Sequence, residues 1–82
     1  MAVIMIVDDE EEARLGLNRL LISEGYAVKL ASSGEEALNL LNQARPDAIL
    51  LDFKMPGLDG IEVCRRIRSN DKTKTIPIIM IT

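Results

Sequence analysis

The chain has no histidine and no tryptophan, one cysteine, one phenylalanine and one tyrosine among its 82 residues. Each shortage excludes something. Without histidine there is no Cys/His metal site, and Cys64 by itself cannot close an internal disulfide. With Phe53 and Tyr26 as the whole aromatic complement, the core must be aliphatic. No apolar run approaches the ~20 residues that a membrane span needs. The opening stretch "MAVIMIVDDEEE" has no basic start and reaches acids too early for a signal peptide. The simplest placement is therefore a reducing cytosol, with no membrane partner. Positive charge is also short, with 10 Lys and Arg against 13 Asp and Glu for a net charge of −3. The densest basic cluster is Arg65, Arg66 and Arg68. It reads as a solvated helix face, which argues against direct nucleic-acid binding.

What is present is a packed-core composition. Hydrophobic residues make up 48% of the chain, too many for disorder. The length allows one small domain that buries about 60–70% of its unfolded surface. Apolar runs and amphipathic segments alternate. "VIMIV" (Val3 to Val7) is short, continuous and β-branched, as a strand buried on both faces should be. A helical pattern follows at Ala13, Leu17, Leu20 and Leu21, closed by Gly25. "YAVKLA" (Tyr26 to Ala31) is a second strand. Ala37, Leu38, Leu41 and Ala44 mark a second helix that Pro46 stops. "AILL" (Ala48 to Leu51) is a third strand. The loop "DFKMPGLDG" leads to a third helix carrying Ile61, Cys64 and Ile67. Pro77 opens a fourth strand that runs to the end. Asp9 with Glu12, Ser33 with Glu36, and Asp59 with Glu62 have capping-box spacing at the three helix starts.

The order βαβαβαβ implies an α/β fold with a parallel, doubly wound sheet and helices on both faces. Right-handed crossovers with a reversal after the second strand give the sheet order 2-1-3-4. The first helix then covers one face and the other two helices cover the opposite one. In such sheets the ligand crevice lies beyond the carboxyl ends of the strands, where the order reverses. Strand 1 ends in Asp8-Asp9 and strand 3 ends in Asp52, so the three acids converge on that crevice. Two like charges ~4 Å apart cost about 4 kcal/mol at an effective dielectric of 20. Either one acid is protonated or a cation joins them, and carboxylates, carbonyls and water suit a hard divalent ion. Taken singly, each acid has a plainer role. Asp9 serves as an N-cap, Asp8 as a second acid at the helix dipole, and Asp52 as the opener of a turn. No such role explains why the acids end the two strands that flank the reversal.

The stretches "IMIVDDEEEA", "AILLDFKMPGLDG" and "IPIIMIT" together resemble the receiver domain of two-component response regulators, a chemotaxis-regulator-like, flavodoxin-like fold. The resemblance covers residues 1–82, and the motifs are specific in their order and spacing. It implies a phosphorylation switch. Asp52 matches the phospho-accepting aspartate, supplied by a histidine kinase, a phosphotransfer protein or a small acyl phosphate. Asp9 and Asp52 match carboxylate ligands of Mg²⁺ or Mn²⁺, and Asp8 matches an acid that helps hold the metal. Lys54 matches the position whose backbone carbonyl ligates the ion and whose side chain lies beside the site. Thr82 matches the hydroxyl residue that binds the phosphoryl oxygen. Helix 1 matches a usual kinase-docking surface.

The same resemblance leads us to expect an incomplete domain that lacks the last helix, strand and helix. The family's lysine and aromatic switch residue on the fifth strand have no counterpart in these residues. The chain would then be a phospho-acceptor signalling domain rather than an enzyme, or a truncated or engineered fragment with little or no signalling activity. Strand 4, with Ile78, Ile79, Met80 and Ile81, would form an apolar edge prone to self-association. Two other classes fit less well. A haloacid-dehalogenase-type phosphatase wants a second acid where Lys54 stands. A mononucleotide binder wants a Ser/Thr/Gly-rich loop where "DDEEEA" stands.

Overall fold

A computed structural model of the chain describes residues 1–81. Seven elements follow one another as β1 (Val3–Val7), α1 (Glu11–Ser23), β2 (Ala27–Ala31), α2 (Gly34–Leu41), β3 (Ala48–Asp52), α3 (Gly60–Ser69) and β4 (Ile78–Ile81). The four strands are parallel and lie in the order β2-β1-β3-β4, as the element pattern implies. β1 is central, and its last residue, Val7, stands opposite Ala31 on one side and Leu51 on the other.

The alternation of side chains along a strand divides β1 and β3 between two faces. Met5, Val7, Ile49 and Leu51 point to one face and are buried there with Ala37 of α2 and Val63 and Ile67 of α3. This is the aliphatic core that the lack of aromatics requires. On the opposite face α1 packs over β1 and β2. Ile6 is buried beneath it, whereas Leu50 and Ile81 are half-buried and Ile79 is 54% exposed. α1 accordingly buries none of its residues fully. Of its expected apolar stripe, Leu17 and Leu21 are partly covered, while Ala13 and Leu20 are exposed. With neither α2 nor α3 on its face, α1 packs mainly against β1 and β2, and its stripe is only partly covered.

Three local expectations need correction. Asp9 does not cap α1, whose N-cap is Glu10 and has no side-chain capping bond. The helix starts at Glu11, one residue later than the capping spacing implies, and the Asp8 carboxylate accepts the Glu10 N–H at 2.9 Å. The other two starts follow the capping pattern more closely. Ser33 Oγ accepts from Glu36 N–H at 3.1 Å and Asp59 Oδ1 from Glu62 N–H at 2.9 Å. α2 ends at Leu41, well before Pro46, and Ala44 lies in the turn that follows. The buried stripe of α3 is Gly60, Val63 and Ile67, with Ile61 47% exposed and Cys64 half-buried. The end of α1 is as expected, because Gly25 has φ 93° and the bonds Gly25 N–H to Ile22 and Tyr26 N–H to Leu21 form a Schellman motif.

The arginines of the densest basic cluster are occupied locally. Arg65 and Arg66 both pair with Glu62 at 3.3 and 3.2 Å. Arg68 donates to the carbonyls of Lys74 and Ile76 at 2.8 and 2.7 Å, which ties α3 to the approach to β4. No helix among the described residues is long and apolar enough to cross a membrane.

Candidate functional site

The site begins with strand register. Val7 is level with Leu51, so one residue further along Asp8 comes level with Asp52. Asp9 follows in the bend that leads to α1, with its carboxylate not engaged as a cap. One carboxylate oxygen each from Asp8, Asp9 and Asp52 lies within 4.8 Å of the other two. The three acids read from the strand ends are thus in one place. They differ in environment, for Asp8 is buried at 6% exposure, Asp52 is half-buried and Asp9 is exposed.

Backbone hydrogen bonds fix the two inner acids. Asp8 N–H donates to the Ala31 carbonyl at 3.1 Å, so the β1–β2 ladder continues into the acidic pair. Asp52 Oδ1 accepts the Lys54 N–H at 3.1 Å, which closes a tight turn directly after β3. Phe53 N–H donates to the Ile81 carbonyl at 2.8 Å, and Gly60 N–H reaches the Phe53 carbonyl at 3.3 Å. Glycine is required at position 60. A Cβ there would press on the Asp52 carbonyl oxygen and lie 3.0 Å from Phe53 Cα. Only without it can α3 begin this close beneath the phospho-acceptor candidate. The intervening loop turns at Gly57, with φ 75°.

The chain matches the response regulator receiver domain family over residues 4–82. The chain belongs to the response regulator receiver family. Among its relatives, the receiver is 48% identical over 79 residues to the response regulator MprA of Mycolicibacterium vanbaalenii, covering 96% of the chain and 33% of that protein. The receiver therefore spans about a third of the length of the curated relatives it matches. Among solved structures, it superposes on the N-terminal domain of a response regulator receiver protein from Methanoculleus marisnigri with a TM-score of 0.97 and 38% identity, covering all of this chain and 67% of that one. TrrA from Thermotoga maritima, solved in complex with Mg²⁺-BeF, matches with a TM-score of 0.83 and 42% identity over 88% of this chain and 63% of its own. The flavodoxin-like, chemotaxis-regulator-like fold read from the sequence is thus the observed one, partial relative to a full receiver domain.

The electrostatics of the receiver's acid cluster are those of an unbalanced site. None of the ion pairs among the described residues involves Asp8, Asp9 or Asp52. Burial raises the Asp52 carboxyl above its ordinary value, and the nearby charges of Asp8 and Asp9 push it the same way. The Lys54 N–H opposes this by favouring the ionised form. A set of hard carboxylate oxygens at this spacing fits a small divalent cation, which takes one or two carboxylates with water and carbonyls. Lys54 is exposed and its N–H, as noted, anchors Asp52. Thr82, the expected phosphoryl contact, lies outside the described residues.

One residue at the site escaped the sequence reading. Arg14 reaches back from α1 and donates from Nη1 to the Asp8 carbonyl at 2.8 Å. The available signal was its place as the first cation after the acidic run Asp8 to Glu12.

The raised Asp52 carboxyl has a consequence for stability. A carboxyl whose folded pKa lies above its unfolded value holds its proton longer in the folded state. The folded state is then penalised as pH rises from the ordinary aspartate value through the raised one. Asp52→Asn removes that penalty and keeps an oxygen for the Lys54 N–H. In EDTA at pH 7 the variant is expected to melt above wild type, with the gap closing as pH falls below the ordinary aspartate range. Scanning calorimetry at both pH values checks it, and a lower midpoint for the variant at pH 7 would contradict the assignment.

Proposed function

We infer that residues 1–82 belong to a response regulatory domain that acts as a phosphorylation-dependent switch, with Asp52 accepting a phosphoryl group from a histidine kinase or phosphotransfer protein. The observation that carries this reading is the meeting of Asp8, Asp9 and Asp52 at the ends of β1 and β3. Mg²⁺ or Mn²⁺ would be held by the Asp9 and Asp52 carboxylates and the Lys54 backbone carbonyl, with Asp8 supporting it. When bound, the ion supplies the positive charge that lets an anionic carboxylate approach an anionic phosphoryl group. The same ion in complex with the relative TrrA supports this choice.

The chain's own residues do the rest by position. The Lys54 N–H holds Asp52 Oδ1, which fixes the plane of the carboxylate and leaves its second oxygen for attack. That oxygen forms a bond to phosphorus as the P–N bond to the donor histidine, or the P–O bond of acetyl phosphate, breaks. The product is an aspartyl phosphate, and the electron pair leaves with imidazole or acetate. The Lys54 side chain stands beside the product, and the Thr82 hydroxyl is assigned to a phosphoryl oxygen. Kinase docking is assigned to α1, whose Leu15 and Ile22 are exposed at 37% and 55%. The domain is a phospho-acceptor in the cytoplasm rather than a turnover catalyst. Intact-mass measurement after incubation with acetyl phosphate and Mg²⁺ tests the reading. One added phosphoryl group is expected, and none in Mg²⁺-free buffer.

Self-association through β4 belongs to the same reading of the 82 residues taken alone. Among the described residues β4 pairs only with β3, and Ile79 stands 54% exposed beside half-buried Leu50 and Ile81. An unpaired apolar strand edge is a template for a second copy. Light scattering on this chain should give a concentration-dependent mass above one protomer, and a monodisperse monomer would refute it.

A further inference from the structure

We propose that Arg14 is a positioning residue for the acidic pair, setting how tightly the cluster binds a divalent cation; this rests on the metal-dependent reading above. Residues 8–12 are five consecutive acids, and they must turn from the end of β1 into α1 while keeping two carboxylates on one crevice. α1 gives this turn little support, since Glu10 caps it with no side-chain bond and none of its residues is fully buried. Asp8 carries the fixing bonds instead. Its N–H donates to Ala31 at 3.1 Å, its carboxylate accepts Glu10 N–H at 2.9 Å, and its carbonyl accepts Arg14 Nη1 at 2.8 Å. The last is the bond of the set with a cationic donor, and it comes from a partly buried side chain that points back along the helix toward its N-terminus. It clamps the peptide between Asp8 and Asp9. That peptide's orientation decides where the Asp9 carboxylate projects relative to Asp52.

The sign of the effect separates positioning from mere charge. If Arg14 only added a positive charge beside the acids, its removal would make a divalent cation bind more tightly. If it holds the turn, its removal weakens binding, because the ligands must be ordered by the ion itself. Partners that orient metal ligands without touching the ion are commonly worth about 10–100-fold in affinity. The experiment is a calorimetric Mn²⁺ titration of wild type, Arg14→Met, which keeps the apolar stem, and Arg14→Lys, which keeps a charged donor. The expected result is a roughly tenfold weaker Mn²⁺ affinity in Arg14→Met, largely recovered in Arg14→Lys, with far-UV circular dichroism unchanged. Equal or tighter binding by Arg14→Met, or no recovery in Arg14→Lys, would overturn the positioning role. A wild-type chain that binds no Mn²⁺ would overturn the metal-dependent reading as well, so the two failures are distinguishable.

Discussion

Asp9→Ala is expected to lose divalent-cation binding by on the order of a hundredfold or more, with the fold intact. A hundredfold is about 2.8 kcal/mol at ~1.4 kcal/mol per decade. The size follows from the unequal settings of the three acids. Asp8 is buried and spends its Oδ1 on the Glu10 N–H. Asp52 spends its Oδ1 on the Lys54 N–H. Asp9 is exposed and caps nothing, so it is the acid freest to give its charge to an ion. For the same reason its removal costs the fold little, because no hydrogen bond of α1 depends on it. Calorimetric titration with Mg²⁺ or Mn²⁺ and a thermal melt in EDTA check both halves. Wild-type affinity in Asp9→Ala would remove Asp9 from the ligand set. A collapsed melt would return it to the structural role that the capping spacing first suggested.

The second large effect is complete loss of phosphoryl acceptance in Asp52→Asn. An amide is not a nucleophile toward phosphorus, and the variant also takes one negative charge from the metal set. The neighbouring acids are poorly placed to substitute. Asp8 is buried with its carboxylate engaged, and Asp9 is the open metal ligand. Asp52 alone combines half-burial, an anchored oxygen and a free one, beside a loop kept close by Gly60. Acetyl phosphate with Mg²⁺ should therefore add one phosphoryl group to wild type and none to the variant. Equal incorporation in the two would reject Asp52 as acceptor.

Much of the architecture was legible because the signals are long-range consequences of short patterns. "VIMIV" and "AILL" have no polar face, and that is what a strand covered on both sides requires. The acids that end them meet because parallel strands in the order β2-β1-β3-β4 put the two carboxyl ends side by side. The misreadings have physical causes as well. Asp9 to Glu12 has the spacing of a capping box, but α1 starts at Glu11 with Glu10 as its N-cap, so the spacing falls one residue short of the helix start. In α3 the expected stripe was shifted because Gly60, a residue with no apolar side chain to count, is the one pressed against β3. Arg14 was invisible because its acceptor is a backbone carbonyl six residues away, and no side-chain pattern encodes that.

The most direct test of an aspartyl-phosphate switch is to locate the phosphoryl group. Borohydride reduces an aspartyl phosphate at its acyl carbon and releases phosphate, converting that residue to homoserine. After incubation with acetyl phosphate and Mg²⁺, reductive trapping and tandem mass spectrometry should find homoserine at position 52. Homoserine at 8 or 9, or phosphate on a serine or threonine with residue 52 still aspartate, would contradict the assignment.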